Sequence, residues 1–114
     1  MRTNKYGNHK TVVDGIKFDS KKEAARYQVL KKMADDGEIS DLKCQHTFTL
    51  QEAFISPLTG ERVQAVKYIA DFTYVAENGK FVVEDVKSAA TRKDKVYVLK
   101  KKLMLEKGYV INEV

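Results

Sequence analysis

The chain has 114 residues, of which 43% are hydrophobic, and this is enough to bury the core of one small domain. It contains no run of about 18 apolar residues and no apolar segment after its basic N-terminus, so we expect a cytoplasmic protein without a membrane span or signal peptide. The single cysteine, Cys44, excludes an internal disulfide and a zinc cage of thiolates. The net charge of +5 favours an anionic partner such as nucleic acid.

The first third of the chain predicts an arm, a hairpin and a helix. Residues 1–10 are polar and basic, and we expect a flexible arm there, followed by a single domain over residues 11–114. Residues 11–18 are typical of a short β-hairpin. Residues 20–23 have the form of a capping box and open a helix that we expect to end near residues 36–37.

The pattern then changes to the period of two that is typical of strands. Residues 41–51 alternate between apolar and polar side chains, and turn residues at 56–60 lead into a long strand predicted for residues 62–76. A turn at residues 77–79 leads into another strand over residues 81–87.

The last part of the chain predicts a helix and a strand. The helix begins at Thr91 and is ended by Gly108, and residues 109–114 form the final strand. The expected fold class is therefore α/β (α+β), with the order helix, three antiparallel strands, helix, strand, and a mixed sheet flanked by two helices.

Two acids stand in apolar strands, where a carboxylate is costly unless it is paired or binds a metal. Asp85 and Lys87 project from one face of their strand, and the hairpin register decides whether Asp71 joins them. A two-residue loop would put Asp71 on the opposite face from Asp85. A three-residue loop over residues 77–79, with its glycine left-handed, pairs Asp71 with Asp85. We predict this register or an equivalent bulge near Asp71.

In this register the two carboxylates repel each other by about 3 kcal/mol, for Cβ atoms roughly 5 Å apart at an effective dielectric of 20. A cation removes that repulsion, and hard oxygen ligands suit Mg²⁺ or Mn²⁺. Alternatively, both acids lie on a wet face and Lys87 pairs with one of them. A mostly buried face is favoured by the apolar character of the residues expected on it: Ile69, Thr73, Val75, Phe81 and Val83.

Two further acids are candidates beside this pair. Glu23 shares the inward-facing stripe of the first helix with Tyr27 and Leu30. Its carboxylate either closes the capping box or belongs to the site, and we favour the role in the site. Glu84 projects from the other face of its strand, so we expect it to be a neighbour of the site and not a ligand. A role for Glu84 in place of Asp85 is the less favoured alternative.

Basic residues flank the acidic strands in three clusters, which favours contacts to a phosphate backbone, although solvated helix faces explain them equally well. Lys100 lies on the apolar stripe of the second helix and either reaches toward phosphate or extends to solvent. The candidate nucleic-acid-binding residues are Lys17, Lys22, Arg92, Lys93 and Lys100.

The order of these elements and their charged residues resembles the PD-(D/E)xK nuclease superfamily over roughly residues 11–114. More narrowly, three segments resemble a family of small phage-encoded proteins that are similar to Holliday-junction resolvases: Asp14-Gly15-Ile16-Lys17-Phe18-Asp19-Ser20, Tyr68-Ile69-Ala70-Asp71-Phe72 and Val83-Glu84-Asp85-Val86-Lys87-Ser88. The sequence departs from the superfamily name at Ala70, where that name has proline.

The resemblance implies a restriction-endonuclease-like core and a role for each site residue. Asp71 and Asp85 would bind the catalytic Mg²⁺ or Mn²⁺, with the Val86 carbonyl as a further ligand. Lys87 would be the catalytic lysine, and Glu23 matches the acid of the family's first helix.

The expected function is a metal-dependent endonuclease that hydrolyses DNA, with branched DNA as the substrate and a homodimer as the assembly implied by the resemblance. Phage recombination, replication or repair would be its setting. Two alternatives stay open: a non-catalytic nucleic-acid-binding module on the same fold, and a phage protein that regulates another protein by binding it.

Overall fold

The computed structural model describes residues 10–114, so the arm predicted for residues 1–10 lies outside the described residues except for Lys10. The chain divides into two compact units: the described residues up to Leu42 with Tyr74–Phe81, and Lys43–Thr73 with Val82–Val114. The single domain over residues 11–114 stays a prediction. The elements in chain order are β1 (Thr11–Val13), β2 (Ile16–Phe18), α1 (Lys21–Asp35), β3 (Ile39–Gln51), β4 (Phe54–Ile55), β5 (Arg62–Val63), β6 (Val66–Ala76), β7 (Phe81–Asp85), α2 (Ala89–Arg92), α3 (Lys95–Glu106) and β8 (Ile111–Glu113).

The β1–β2 hairpin and α1 are as predicted. Asp14 and Gly15 form the hairpin turn with φ of 53° and 75°, the left-handed pair of a type I′ turn. Ser20 caps α1, since its hydroxyl accepts a hydrogen bond from the Glu23 N–H at 3.1 Å. The helix ends at its C-cap Asp36, and Gly37 follows with φ of 79°.

The main sheet has four strands in the order β3-β6-β7-β8. β6 and β7 form an antiparallel hairpin, whereas β7 and β8 are parallel, with Val83 opposite Ile111. α3 lies between β7 and β8 in sequence, because a parallel neighbour requires a crossover connection. The predicted α/β class, a mixed sheet with helices, is confirmed.

The core of the second unit lies between this sheet and α3. Side chains from β3, β6, β7, α3 and β8 form one cluster, in which Met104 of α3 is completely buried. Burial of one such side chain contributes roughly 2 kcal/mol. The members of the cluster are Phe48, Leu50, Tyr68, Ala70, Val83, Tyr97, Met104 and Ile111.

Two predicted elements are each divided in the structure. The strand predicted for residues 62–76 is β5 and β6, because β5 pairs with β4 in a separate sheet whereas β6 pairs with β3 and β7. The helix predicted to begin at Thr91 is α2 and α3. Thr91 lies inside α2, where its side chain completes a capping box with Ser88, and Asp94 caps α3 by accepting from the Tyr97 N–H at 3.0 Å.

The hairpin between β6 and β7 has the predicted three-residue loop. Ala76 and Lys80 are bonded across it, from the Ala76 N–H to the Lys80 carbonyl at 2.8 Å, and Gly79 has φ of 84°. If the antiparallel pairing continued regularly from Ala76 and Lys80, Val83 would lie opposite Thr73. Its side chain would then be on the same face of the sheet as that of Asp71. Val83 packs instead in one cluster with Tyr68 and Ala70, so the alternation along β6 shifts near Asp71, as at a β-bulge.

The predicted burial of the face that carries the acids is wrong at two positions. Ile69 and Phe81 were expected on the mostly buried face of the acids, but they are 52% and 44% exposed. Val83 and Thr73 are buried as expected.

None of the helices within residues 10–114 has the length and apolarity to span a bilayer.

Candidate metal centre

Asp71 and Asp85 meet where β6 passes the end of β7. The Asp71 N–H donates to Asp85 Oδ1 at 3.2 Å, and the Val86 N–H donates to Asp71 Oδ2 at 2.9 Å. The Asp85 carboxylate thus accepts from the backbone N–H of Asp71. The Asp71 carboxylate accepts from the N–H of Val86, the residue that follows Asp85. The sequence prediction that the two acids come together is therefore supported by an exchange of hydrogen bonds between the strands.

The Asp85 carboxylate is buried and held by three groups. Its side chain is 2% exposed, and its Oδ2 accepts a hydrogen bond from the Tyr68 hydroxyl and lies 3.3 Å from Lys87 Nζ. Burial and the bond to Asp85 raise the pKa of Tyr68, so the phenol stays a donor. The negative charge that an apolar strand should not contain is compensated by an ammonium, a hydroxyl and an amide.

Lys87 is fixed from its backbone and from its side chain. Its N–H donates to the Val114 carbonyl at 3.2 Å, and the Val114 N–H donates to the Asp85 carbonyl at 2.9 Å, so the chain after β8 holds the residues around Asp85. Its ammonium lies 4.3 Å from the centre of the Tyr97 ring. Such a cation–π contact contributes about 0.5–2 kcal/mol, depending on desolvation.

Tyr97 is itself held by β8. Its hydroxyl donates to Glu113 Oε2, and Glu113 Oε1 lies 3.2 Å from Lys101 Nζ. Burial and the bond to Glu113 raise the pKa of Tyr97, while the same bond and Lys101 lower the pKa of Glu113. A chain of contacts therefore runs from Lys101 through Glu113 and Tyr97 to Lys87.

The carboxylate oxygens of Asp71 and Asp85 are the kind of ligand that a hard divalent cation prefers. Mg²⁺ needs only one or two protein carboxylates, because water and phosphate oxygens complete its coordination. Asp71 and Asp85 supply two carboxylates at one place. Among residues 10–114, however, no three His, Cys, Asp or Glu side chains are grouped to hold a metal between them. A cation here would depend on water and substrate oxygens for most of its ligands.

The chain was compared with models of known protein families. A model described as a protein of unknown function (DUF1064) matches residues 3–112, nearly the whole chain. The chain belongs to the DUF1064 family. No curated protein and no solved structure matches it.

The other predicted acids of the DUF1064 chain are buried. Glu23 lies in the first turn of α1 and faces inward, as its stripe with Tyr27 and Leu30 predicted. Its role beside Asp71 and Asp85 stays a prediction. Glu84 is completely buried on β7, and alternation places it on the opposite side from Asp85, which agrees with the neighbour role.

The predicted nucleic-acid-binding residues of the DUF1064 chain are solvent-accessible to different degrees. Lys17 on β2, Lys22 on α1, and Arg92 and Lys93 around the end of α2 are exposed, whereas Lys100 on α3 is half-buried. Four of the five candidates are therefore accessible to a phosphate backbone.

Sequence reasoning missed Tyr68 and Tyr97 as members of this site. Tyrosine is an ordinary residue type in strands and helices of a core, and both residues do pack in the core of the second unit. The available signal was the phenol group, because a buried tyrosine hydroxyl usually requires a hydrogen-bond partner.

Proposed function

We propose that this protein is a metal-dependent endonuclease that hydrolyses DNA phosphodiester bonds, with Mg²⁺ or Mn²⁺ as its cofactor. The observation that carries the proposal is the convergence of Asp71, Asp85 and Lys87 at the end of β7. Two carboxylates and an ammonium at one point provide both the ligands for a cation and a positive group for phosphate.

In this proposal Asp71 and Asp85 would hold the cation, and a bound cation would polarise the scissile phosphate and lower the pKa of a water molecule. The Lys87 side chain, 3.3 Å from Asp85 Oδ2, would donate hydrogen bonds to a phosphate oxygen or to the attacking water. The backbone bonds from Asp71 and Val86 limit rotation of both carboxylates, so the ligands are oriented before substrate binds.

The DNA partner is proposed from charge and resemblance. The net charge of +5 and the exposed Lys17, Lys22, Arg92 and Lys93 suit a polyanion, and the PD-(D/E)xK resemblance adds the deoxyribonuclease activity. Branched DNA is the proposed substrate and a homodimer the proposed assembly, because cutting two strands of a junction requires two active sites.

Cleavage assays on defined DNA test the proposal. Linear duplex, single-stranded, flapped and four-way-junction DNA are incubated with Mg²⁺, Mn²⁺ or EDTA. We expect metal-dependent cleavage that Asp85→Asn and Lys87→Gln each lower by at least about 10²-fold, the usual effect of losing an electrostatic catalytic group. Asp35→Asn and Lys31→Gln are matched controls, because they change an exposed ion pair of α1.

Two outcomes would contradict the proposal. One is intact DNA with every substrate in both metals. The other is cleavage that persists at the wild-type rate in both site variants, which would indicate a contaminating nuclease.

A non-catalytic nucleic-acid-binding module is the second candidate, and one observation favours it. Both oxygens of Asp85 already have partners within the protein, so the acid is compensated without a metal. Affinity for DNA that falls steeply with salt, without metal-dependent cleavage, would identify this function.

A further inference from the structure

Two tyrosines enclose the Asp85–Lys87 pair, and each contacts a different member of it. We propose that Tyr68 and Tyr97 are positioning residues of the candidate site: the Tyr68 hydroxyl fixes the Asp85 carboxylate, and the Tyr97 ring fixes the Lys87 ammonium. The catalytic part of this inference rests on the proposed nuclease function, whereas the geometric part does not.

Tyr68 is placed to hold Asp85 in one rotamer. Its ring is buried in the core and stacks on Phe48 with centroids 6.2 Å apart, so the position of its hydroxyl is set by packing. That hydroxyl donates to Asp85 Oδ2, while the Asp71 N–H donates to Oδ1 at 3.2 Å. With a donor on each oxygen, the carboxylate plane cannot rotate without losing a bond.

Tyr97 is placed to hold Lys87 through its ring. The backbone N–H of Tyr97 donates to the Asp94 cap at 3.0 Å, and its hydroxyl donates to Glu113. The ring is 7% exposed in the core of the second unit, so packing holds it in place even without the hydroxyl bond. Lys87 Nζ lies 4.3 Å from its centre and 3.3 Å from Asp85 Oδ2. The ring and the carboxylate therefore contact the same ammonium, and the ring limits where the long Lys87 side chain can place it.

The two tyrosines act through different groups, and this difference makes the inference testable. The hydroxyl of Tyr68 is required, so Tyr68→Phe should impair the site although it keeps the ring. The ring of Tyr97 is required, so Tyr97→Phe should leave the site nearly intact, whereas Tyr97→Leu should impair it. A merely structural role in the core would not produce this opposite response to the same Tyr→Phe change.

Cleavage kinetics give the first measurement. We expect Tyr68→Phe and Tyr97→Leu to lower kcat by about 10–100-fold with little change in KM, the size of effect known for groups that orient metal ligands. Tyr97→Phe should stay within about threefold of wild type. Tyr109→Phe is the control, because Tyr109 also packs on Phe48, with centroids 5.0 Å apart. Wild-type kcat in both Tyr68→Phe and Tyr97→Leu would overturn the proposal.

Proton NMR gives a second measurement that needs no cleavage. A methylene group over an aromatic ring resonates upfield, so the ε-methylene of Lys87 should be shifted upfield in wild type and Tyr97→Phe. The shift should vanish in Tyr97→Leu, and Lys87→Gln assigns the signal by removing it. An unshifted signal in wild type would overturn the placement of Lys87, even for an active enzyme. The expected shifts in a protein that cuts no DNA would contradict the nuclease function and leave the placement supported.

Discussion

The Asp85–Lys87 ion pair should contribute to folding in a way that a surface pair does not. Its atoms lie 3.3 Å apart, with side chains 2% and 19% exposed. At an effective dielectric of 20 the attraction at this distance is about 5 kcal/mol, and the cost of removing both charges from water cancels much of it. We expect a net coupling of about 2 kcal/mol in the free energy of unfolding.

A double-mutant cycle measures this coupling. Lys87→Met should cost about 2–3 kcal/mol, because it leaves the buried carboxylate without its ammonium, and Asp85→Asn should cost about 2 kcal/mol. The double variant should lose about 2 kcal/mol less than the sum of the two, as residues in direct contact are not additive. Urea unfolding followed by circular dichroism gives each free energy by linear extrapolation.

The matched control is the exposed pair of Lys31 and Asp35 on α1. Its atoms lie closer, at 2.8 Å, but the side chains are 47% and 61% exposed. The same substitutions there should give a coupling several-fold smaller, because solvent screens an exposed pair. Equal couplings in the two cycles, or strict additivity at Asp85 and Lys87, would refute the argument that burial strengthens the pair.

Four further measurements follow from the structure. Absorbance at 295 nm at about pH 11.5, where an ordinary tyrosine is almost fully ionised, should show fewer tyrosinates than the chain's six tyrosines, because burial raises the pKa of Tyr68 and Tyr97. The stability from these phenols is complete below the ordinary tyrosine pKa and is lost as the pH rises above it, so six tyrosinates in the folded protein would contradict their burial. Gly79→Ala should cost about 1–2 kcal/mol in urea unfolding, because φ is 84° there, and Gly79→Asn should cost less. Ser20→Ala should cost about 1 kcal/mol by removing the cap of α1, and an unchanged urea midpoint would argue against the cap. Lys87→Met should tighten Mn²⁺ binding in calorimetry while it slows cleavage, since its ammonium occupies a carboxylate oxygen that the cation would use; weaker binding would contradict that competition.

Elements with strong local signals could be predicted from the sequence. The hairpin turn at Asp14 and Gly15, the helix cap at Ser20 and the glycine after α1 each fix backbone geometry within a few residues, so their positions agree with the structure. The three-residue loop that ends at Gly79 belongs to the same class. These predictions required no knowledge of tertiary packing.

The divided elements could not be predicted in the same way. Residues 62–76 have a continuous strand pattern, but β5 and β6 pair in different sheets, and pairing partners are distant in sequence. The shift of alternation near Asp71 is equally non-local, because it is visible only in the packing of Val83 with Tyr68. The strand pattern alone therefore predicted a buried environment for Ile69 and Phe81, which are exposed.

The convergence of the acids and the lysine could be predicted, whereas their supporting residues could not. Asp71, Asp85 and Lys87 are charged residues in apolar strand patterns. Each of them can be recognised in the sequence without knowledge of its contacts. Tyr68 and Tyr97 belong to the site through contacts with residues far along the chain. Their types are ordinary for a core, so nothing local distinguished them.

The same contacts change what the burial of Asp85 means. A carboxylate in an apolar strand needs compensation, and the sequence argument assigned that compensation to a metal. The chain itself supplies it, through Lys87, Tyr68 and a backbone N–H. Burial of the acid is therefore not the argument for a nuclease. The nuclease proposal rests instead on the convergence of Lys87 with two carboxylates. Apolar residues of similar volume usually stabilise a core as well as a buried ion pair does, so folding alone gives no reason for this group of charges.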